Sequence, residues 1–352
     1  MFRIVRTNQK LHSAFTERLA REPGLLVEQF DRDGSPEHAW RLLSRAHAYQ
    51  ISAARDELPV SYHANAELLA RCPQLLCVSS GGAGYDTVDV EACTRAGVLV
   101  LNQAGANAQS VAEATLGLII DITHRLSLSD RRLRRERGFS REDLMGEEIS
   151  GKTLGLIGIG HVGRTVARLA AAFGMTVIAC DPLVDQEEIR RRGAEPVDLD
   201  ALLRRADIVS VHCPRDAGTL GMMNEAAFAR MKRGAYFVST ARGGIHDQRA
   251  LLAALQSGQI RAAGLDVWEQ EPPPLDDPLL QHEAVVATYH TAGVTTEARA
   301  RIALWAADQL AQVLAGDAAP RAVNPEVWPR FQTRLASAAA QERSSPPPPS
   351  AR

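Results

Sequence analysis

The sequence has few of the features that place a protein in a membrane or an oxidising compartment. No apolar run reaches the roughly 18 residues that a bilayer-spanning helix needs, and the longest, residues 114–123, is interrupted by Asp121. The start of the chain has no long apolar core, so we expect no signal peptide. The five cysteines form no CxxC or CxxH pair, which argues against a metal site and a disulfide framework. These absences favour a cytoplasmic protein with reduced thiols.

A strong charge of either sign is also absent. The 40 Lys and Arg residues nearly balance the 42 Asp and Glu residues, and the formal net charge is −2. Such a chain has no electrostatic reason to bind nucleic acid or an anionic membrane, and we expect neither as a partner. Its composition, 45% hydrophobic and 23% charged, is normal for a globular protein.

The chain is organised as two alternating series. Short apolar runs alternate with amphipathic ones over the first hundred residues, and again from Lys152 to about Ala287. This alternation predicts an α/β fold with parallel sheets covered by helices, and a length of 352 residues predicts two domains. Between the two series, residues 108–136 indicate one long helix. The end of the chain, residues 331–352, is poor in large apolar residues, and we expect it to be disordered.

The segment KTLGLIGIGHVGRTVARL carries a GxGxxG motif formed by Gly158, Gly160 and Gly163. It follows the apolar run 153–157 and opens the periodic run 162–173, which is the context in which such a motif binds a dinucleotide. Gly158 would allow the tight turn, Gly160 the approach of a pyrophosphate, and Gly163 the close packing of helix on strand. The alternative is a glycine-rich turn that binds nothing.

An acidic residue stands where the adenosine ribose should be bound. Asp181 ends the next apolar run, 181 − 158 = 23 residues beyond the first glycine, and a carboxylate at that distance accepts hydrogen bonds from the ribose. No Arg or Lys lies between Pro182 and Gln186 to receive a 2′-phosphate, so we expect NAD rather than NADP. Because the motif begins only at residue 158, a complete α/β domain precedes it. Two similar domains with the active site in the cleft between them would account for this order.

An arginine, a carboxylate and a histidine stand at the ends of successive predicted strands. Arg242 follows the run AYFVST, Asp266, Glu269 and Glu271 stand at the end of the next run, and His290 follows AVVATY. Ligands of open α/β sheets bind beyond the carboxyl ends of the strands. Arginine binds carboxylates, histidine exchanges a proton near neutral pH, and a carboxylate beside the imidazole stabilises its charged form. Together they predict hydride transfer to a 2-oxo acid, although each alone is equally typical of a surface turn or a strand end.

With these residues in place, the sequence resembles the NAD-dependent D-2-hydroxyacid dehydrogenases over residues 50–315. The motifs that carry the resemblance are SGGAGYDTVDVEACTRAGVLVLN, NAQSVAEATLGLI, GKTLGLIGIGHVGRTVA, MKRGAYFVSTARGG, ALLAALQSGQIRAAGLDVWEQEPP and HTAGVTTEA. The resemblance implies a Rossmann NAD-binding domain at residues 102–293, inserted into a Rossmann- or flavodoxin-like substrate domain built from residues 1–101 and 294–330. It also implies a small 2-oxo or 2-hydroxy acid as substrate, such as glyoxylate or hydroxypyruvate, and a homodimer.

The resemblance assigns roles to individual residues. Arg242 would orient the substrate, His290 would be the acid/base, and Glu271 would be its carboxylate partner. The residues expected at the cofactor are Gly158, Gly160, His161, Val162 and Gly163 at the pyrophosphate, Asp181 at the ribose, and Thr240, Ala241, Asp266 and Gly293 on the nicotinamide side. The loop GGAG, with Ala83 and Gly84, would hold the substrate carboxylate through its backbone N–H groups.

Three positions depart from the family's usual residues. Tyr289 stands where a proline is usual, Ser239 where an asparagine is usual, and Arg215 in place of a common leucine. Two other functions stay open: a phosphoglycerate dehydrogenase, and an NAD-sensing binding protein similar to the corepressors that share this fold. Arg55, after an apolar run of the first domain, would bind a substrate phosphate or carboxylate, or else lie at the surface.

Overall fold

The structure of the protein, a computed structural model, describes residues 1–344. Its β-strands are β1 Phe2–Thr7, β2 Leu25–Phe30, β3 Ala48–Ile51, β4 Cys77–Ser80, β5 Leu99–Leu101, β6 Thr153–Ile157, β7 Thr176–Cys180, β8 Glu195–Pro196, β9 Ile208–Val211, β10 Ala235–Ser239, β11 Ile260–Leu265 and β12 Val285–Ala287. Its α-helices are α1 Ala14–Leu19, α2 Pro36–Leu43, α3 Ala66–Arg71, α4 Val90–Ala96, α5 Ala108–His124, α6 Leu126–Arg135, α7 His161–Ala172, α8 Gln186–Arg191, α9 Leu199–Arg205, α10 Glu225–Arg230, α11 Gln248–Gln256, α12 Pro278–Gln281, α13 Thr296–Ala315 and α14 Trp328–Ser344. Short 3-10 helices occupy Val60–Tyr62, Glu142–Leu144 and Pro325–Val327.

The chain divides into two compact units. Unit 1 comprises Met1–Asn107 together with the chain from Thr296 onward, and unit 2 comprises Ala108–Thr295. The strands of unit 1 form a sheet in the order β2-β1-β3-β4-β5, which is flavodoxin-like. Those of unit 2 are ordered β12-β11-β10-β9-β6-β7-β8, a Rossmann arrangement with one further strand. The pairings within both sheets are parallel, so the predicted α/β class with two Rossmann- or flavodoxin-like sheets is confirmed.

Side-chain caps explain where many helices begin. An Asp or Asn before the helix accepts a hydrogen bond from a backbone N–H of the first turn, which would otherwise have no partner. The residues that cap helices in this way are Asn65, Asp89, Asp185, Asp198, Asn224, Asp247 and Asp277. These short polar residues therefore determine where the helices that connect the strands begin.

The long helix expected over residues 108–136 is two helices. Arg125, between α5 and α6, has a φ of 58°, in the left-handed region, which ends the first helix. Asp121 of α5 then accepts hydrogen bonds from the backbone N–H and the hydroxyl of Ser127, at 2.8 and 2.5 Å. The expectation of one continuous helix was wrong, because the helical spacing of apolar residues does not show that a single residue adopts a left-handed backbone conformation.

The end of the chain is ordered further than its composition predicts. Residues 331–344 belong to α14, so the expectation of disorder was wrong for them, while residues 345–352 lie outside the described part of the chain. Phe331 and Leu335 are buried in the core of unit 1. Arg330 and Arg334 donate hydrogen bonds to the backbone carbonyls that end α4, where basic groups are favourable. Two apolar residues on one face and two arginines thus help to dock this helix, although they barely change the composition.

No helix within residues 1–344 is long and apolar enough to cross a membrane. The same residues contain no group of three or more His, Cys, Asp or Glu side chains arranged to hold a metal ion.

Candidate active site

The three predicted catalytic residues lie beyond adjacent strands of unit 2. Strands β10, β11 and β12 are neighbours in the sheet, and Arg242, Glu271 and His290 follow them in that order. Since the strands are parallel, their carboxyl ends share one edge, and the connections that leave them meet there.

His290 and Glu271 form an ion pair in which Nδ1 of the imidazole lies 2.9 Å from Oε2 of the carboxylate. Their side chains are only 33% and 21% exposed. Burial opposes the charged imidazole, but the hydrogen bond to Glu271 and the carboxylate charge outweigh it, so the pKa of His290 is raised. Burial likewise opposes the carboxylate, yet the imidazole holds the pKa of Glu271 below its usual value. The pair therefore keeps the histidine protonated to a higher pH than a free imidazole.

Asp266 holds the turn that carries the histidine. Its carboxylate is 1% exposed and accepts hydrogen bonds from the hydroxyl of Thr288 and from the backbone N–H groups of Thr291 and Ala292, at 2.6, 2.8 and 3.0 Å. Its carbonyl accepts the N–H of His290 at 2.7 Å. His290 itself has a φ of 46°, in the left-handed region that side chains rarely adopt. Its unusual conformation is thus fixed by contacts on both sides of it.

Trp268 connects all three strand ends, and sequence reasoning did not identify it. Its backbone N–H donates to Oε1 of Glu271 at 3.1 Å, and its indole N–H donates to the carbonyl of Thr288 at 3.0 Å. A Cβ on Gly243 would stand 1.7 Å from the Trp268 carbonyl oxygen, so only glycine fits there. The tryptophan is 3% exposed. The only sequence signal for it was its place between two predicted site residues.

Arg242 is half-buried, and its charge acts on both members of the ion pair. It opposes protonation of His290 and favours ionisation of Glu271, in each case more weakly than the pair's own interaction. One guanidinium nitrogen donates to the carbonyl of Ala241 at 2.7 Å. Arg215, one of the departures from the family's usual residues, donates to the carbonyl of Gly243 at 3.3 Å. It therefore supports the turn that follows Arg242.

The glycine motif lies at the reversal of strand order between β6 and β9. Gly158 has a φ of 92°, and a Cβ on Gly163 would stand 2.2 Å from the carbonyl oxygen of Gly158. Both glycines are therefore required for the turn and for the packing of α7 on it. At Gly160 a Cβ would meet no heavy atom of the described residues within 4 Å, so the backbone there is open to a ligand. The first-turn N–H groups of α7, at His161 and Val162, follow directly.

Asp181 lies beside the same loop. Its carboxylate is half-buried and accepts hydrogen bonds from the backbone N–H groups of Ile159 and Leu183, both at 3.0 Å. A carboxylate with unused lone pairs next to a helix N-terminus suits a ribose followed by a pyrophosphate. The loop, the helix and this carboxylate fit a dinucleotide.

The remaining predicted cofactor residues are in unit 2 as well. Thr240 is buried, and its hydroxyl lies 3.0 Å from that of Thr115. Ala241 and Gly293 are half-buried in the connections after β10 and β12. The departure Ser239 is fully buried, and its hydroxyl has no hydrogen-bond partner within the described residues. Tyr289, beside the histidine, is 49% exposed; we have no physical account of why it replaces a proline.

The loop that contains Ala83 and Gly84 belongs to unit 1 and follows β4. The carbonyls of residues 82–84 each accept a hydrogen bond: that of Gly82 from the N–H of Gln103 at 2.8 Å, that of Ala83 from the Asn102 amide at 2.9 Å, and that of Gly84 from the Ser80 hydroxyl at 2.5 Å. The N–H groups of residues 82–84 have no acceptor among the described residues. Arg55 is exposed nearby, and its Nε donates to the carbonyl of Asp86 at 2.8 Å.

Comparison with known proteins shows which family the chain resembles. Residues 116–292 match the NAD binding domain of the D-isomer specific 2-hydroxyacid dehydrogenases. The D-3-phosphoglycerate dehydrogenase of Mycobacterium tuberculosis is 42% identical over 260 residues, which are 74% of this chain and 49% of that enzyme. The glyoxylate reductase of Korarchaeum cryptofilum is 38% identical over 266 residues, 75% of this chain and 80% of the relative.

A solved structure agrees with these matches. The D-lactate dehydrogenase of Aquifex aeolicus, crystallised with NAD and lactic acid, superposes with a TM-score of 0.77 at 28% identity, covering 91% of this chain and 98% of that one. The chain spans about half the length of the mycobacterial relatives it matches. The expected family and the expected cofactor, NAD, are both confirmed. The chain belongs to the D-isomer specific 2-hydroxyacid dehydrogenase family, and unit 2 contains its NAD binding domain.

Proposed function

We propose that the protein is an NAD(H)-dependent oxidoreductase that interconverts a small 2-oxo acid and its D-2-hydroxy acid by hydride transfer. The observation that carries the proposal is the ion pair of His290 and Glu271 beside the charge of Arg242, beyond adjacent strands of an NAD binding domain. When bound, the nicotinamide supplies or accepts the hydride. The residues of the chain supply the proton, the orientation of the substrate and the charge that stabilises its oxygen.

His290 is the proposed acid/base. Its Nδ1 faces Glu271, so Nε2 is the nitrogen that exchanges a proton with the substrate oxygen. In reduction, the alkoxide that develops at the carbonyl takes this proton, and in oxidation the hydroxyl returns it. The raised pKa of His290 favours the protonated form that reduction needs.

Arg242 is the proposed substrate-orienting residue. A guanidinium binds a carboxylate through two parallel hydrogen bonds, which fixes the plane of a 2-oxo acid. It also places a positive charge where the carbonyl oxygen becomes negative. Arg242 is held by the Ala241 carbonyl and by the turn packed against Trp268, so the substrate would meet a donor that is already positioned.

The dinucleotide would be held by the glycine motif and the strand ends of unit 2. Gly158, Gly160 and Gly163, with the N–H groups of His161 and Val162, would bind the pyrophosphate, and Asp181 the ribose. The nicotinamide side would be lined by Thr240, Ala241, Asp266 and Gly293. If NADPH is preferred to NADH in a binding titration, the proposed role of Asp181 is wrong.

The loop at residues 82–84 is the proposed site for the substrate carboxylate. Its carbonyls are all engaged by Gln103, Asn102 and Ser80, which leaves the N–H groups of Gly82, Ala83 and Gly84 as donors. Consecutive N–H groups of this kind form an anion-binding concavity. On this basis unit 1 is the substrate domain, and the common cleft with unit 2 stays a prediction.

Glyoxylate and hydroxypyruvate are the substrates we propose first. A second candidate is 3-phosphoglycerate oxidation, because the mycobacterial relatives at 42% identity carry that name. Arg55, beside the 82–84 loop, is the cation that would meet a phosphate.

A homodimer is proposed as well: the apolar side chains of Leu126, Leu133 and Met145 are exposed on unit 2, and light scattering would measure the mass. A cytoplasmic location stays a prediction.

The deciding experiment follows NADH oxidation against a panel of 2-oxo acids that includes glyoxylate, hydroxypyruvate, pyruvate and phosphohydroxypyruvate. Turnover of the unphosphorylated acids supports the proposal, and preference for the phosphorylated one, lost in Arg55→Ala, supports the second candidate. Tight NADH binding without turnover of any acid would instead identify an NAD-sensing binding protein.

A further inference from the structure

The middle residue of the GxG turn is held by two side chains, one on each of its peptide bonds. The N–H of Ile159 donates to Oδ2 of Asp181 at 3.0 Å. The carbonyl of Ile159 accepts a hydrogen bond from Nη1 of Arg192 at 2.8 Å. Both side chains come from the single connection between β7 and β8, which includes α8. Asp181 was predicted from the sequence, but Arg192, 192 − 181 = 11 residues later, was not.

The contact from Arg192 has a geometric consequence for the next residue. A peptide unit is planar and trans, so the carbonyl of Ile159 and the N–H of Gly160 point in opposite directions from one rigid plane. Fixing the carbonyl towards Arg192 therefore fixes the direction of the Gly160 N–H. The backbone at Gly160 is the part of the loop that is open to a ligand, and α7 begins immediately after it.

Arg192 is itself held in place. Its Nε donates to Oε1 of Glu188 at 2.7 Å, and the side chain is 22% exposed. Its charge is also sensed within the loop: burial and then the charges of Arg164 and Arg192 lower the pKa of His161, the residue after Gly160. An ordered guanidinium at this place thus acts on the loop by both hydrogen bonding and charge.

We propose that Arg192 is a positioning residue for the dinucleotide: it fixes the peptide plane between Ile159 and Gly160 so that the Gly160 N–H faces the bound pyrophosphate. The proposal deepens the proposed function and rests on it only in assuming that the dinucleotide binds at this loop. Arg192 orders a donor before the ligand arrives, which reduces the conformational cost of binding.

Arg191 provides a matched control. It is the neighbouring residue, carries the same charge and binds the same carboxylate, with Nη2 2.8 Å from Oε2 of Glu188. Its side chain is 67% exposed and forms an ion pair with Glu188. Unlike Arg192, it does not bind the carbonyl of Ile159, which accepts its hydrogen bond from Arg192. Replacing either arginine by leucine removes one charge and one contact to Glu188, but only Arg192→Leu frees the carbonyl of Ile159.

The test is a fluorescence titration of the full-length protein with NADH. Arg192→Leu should weaken NADH binding by up to about 10-fold, the scale of the cost of ordering one group on binding when it is not held beforehand. Arg191→Leu should change it by less than about twofold, as is usual for a surface substitution. In steady-state assays of Arg192→Leu the KM for NADH should rise, while kcat and the KM for the 2-oxo acid stay within about twofold.

A second variant and a second measurement separate positioning from a general structural effect. Arg192→Gln retains an N–H donor without the charge and should recover part of the lost affinity, whether or not the leucine variant folds well. In NMR titrations without cofactor, Arg192→Leu should raise the pKa of His161, and Arg191→Leu should leave it unchanged.

Equal NADH affinity in Arg192→Leu and the wild type, or equal weakening in the Arg191 and Arg192 variants, would overturn the inference while leaving the proposed function standing. Affinity in Arg192→Gln as poor as in Arg192→Leu would also overturn it, since the hydrogen bond would not then be the cause. Failure of the wild-type protein to bind NADH would instead remove the proposed function and this inference with it.

Discussion

Units 1 and 2 share one architecture, a parallel sheet between helices, but differ in the chemistry at the carboxyl ends of their strands. In unit 1 the neutral side chains of Ser80 and Asn102 hold the carbonyls of a glycine-rich loop. In unit 2 the corresponding ends carry ionisable groups, of which Glu271 and His290 are paired. The same fold thus supplies two strand-end sites, and in the proposed function a few residues in the connections decide whether such a site orients an anion or moves a proton.

Removing the ionisable centre of unit 2 should have the largest effect. His290→Ala deletes the proposed acid/base, and we expect kcat to fall by about 10²- to 10⁴-fold, the usual contribution of such a group. NADH affinity should be nearly unchanged, because the glycine loop is untouched. Steady-state kinetics and a fluorescence titration measure the two quantities. His124→Ala, an exposed histidine at the end of α5, is the control; equal turnover in both variants would exclude His290 from the mechanism.

Removing only the charge of its partner should shift the pH dependence. In the proposed mechanism reduction needs protonated His290, so the rate should fall as the pH rises through the raised pKa of His290. Glu271→Gln removes the hydrogen-bonded carboxylate that raises this pKa, so the fall should begin at lower pH. At pH 8 we expect kcat to drop by about 10- to 100-fold. The pH profile of NADH oxidation tests this, and identical profiles for the two proteins would contradict the role of Glu271.

A change in unit 1 should affect the substrate and not the cofactor. Ser80→Ala removes the hydroxyl that holds the carbonyl of Gly84, which loosens the N–H groups of the loop. We expect the KM for the 2-oxo acid to rise by about 3- to 10-fold, on the scale of one neutral hydrogen bond, with NADH affinity constant. Ser44→Ala, whose hydroxyl bonds only within α2 and its end, is the control. A change in NADH affinity of the same size would remove the distinction between the units.

The smallest expected effect concerns stability. His246 of unit 2 is 0% exposed, and neither ring nitrogen has a partner within the described residues. Burial lowers the pKa of His246 to about 4. His246→Val should raise the free energy of unfolding by about 1–2 kcal/mol at pH 7, because an unsatisfied buried polar group is removed.

The pH dependence of that gain provides its check. Below the pKa of histidine in the unfolded chain, the unfolded chain binds a proton that the folded protein does not bind. The free energy of unfolding of the wild type therefore falls by about 1.4 kcal/mol per pH unit between roughly pH 6.5 and the pKa of His246 in the folded protein. The advantage of His246→Val should therefore widen as the pH falls from 7 to 5 in urea titrations. A constant difference between the two proteins would show that folding does not lower the pKa of His246.

Sequence patterns predicted what depends on local periodicity and on strand ends. The GxGxxG turn, Asp181 and the order of Arg242, Glu271 and His290 could be read directly, because parallel strands bring successive carboxyl ends to one edge. The same reasoning predicted both sheets. It could not predict the distances between these side chains. The assignment of unit 1 as the substrate domain and unit 2 as the cofactor domain stays a prediction.

The features that were missed depend on contacts between distant parts of the chain. Trp268 supports the site through its backbone as much as through its indole, and no residue pattern predicts a backbone contact. Arg192 is the last of three consecutive arginines, a pattern typical of an exposed surface, and only the path of α8 brings it to Ile159. The docking of α14 rests on a few side chains, such as Phe331 and Arg334, that composition averages away.

The contacts of Trp268 also limit how this protein can be engineered. Trp268 contacts the turn after Arg242, the carboxylate of Glu271 and the segment that leads to His290. The conformations of these three connections therefore depend on one residue. Grafting a single loop from a relative would remove contacts with Trp268 that help to place Glu271 and the segment before His290. A graft that keeps all three contacts must therefore include the whole stretch from the end of β10 to the turn after β12.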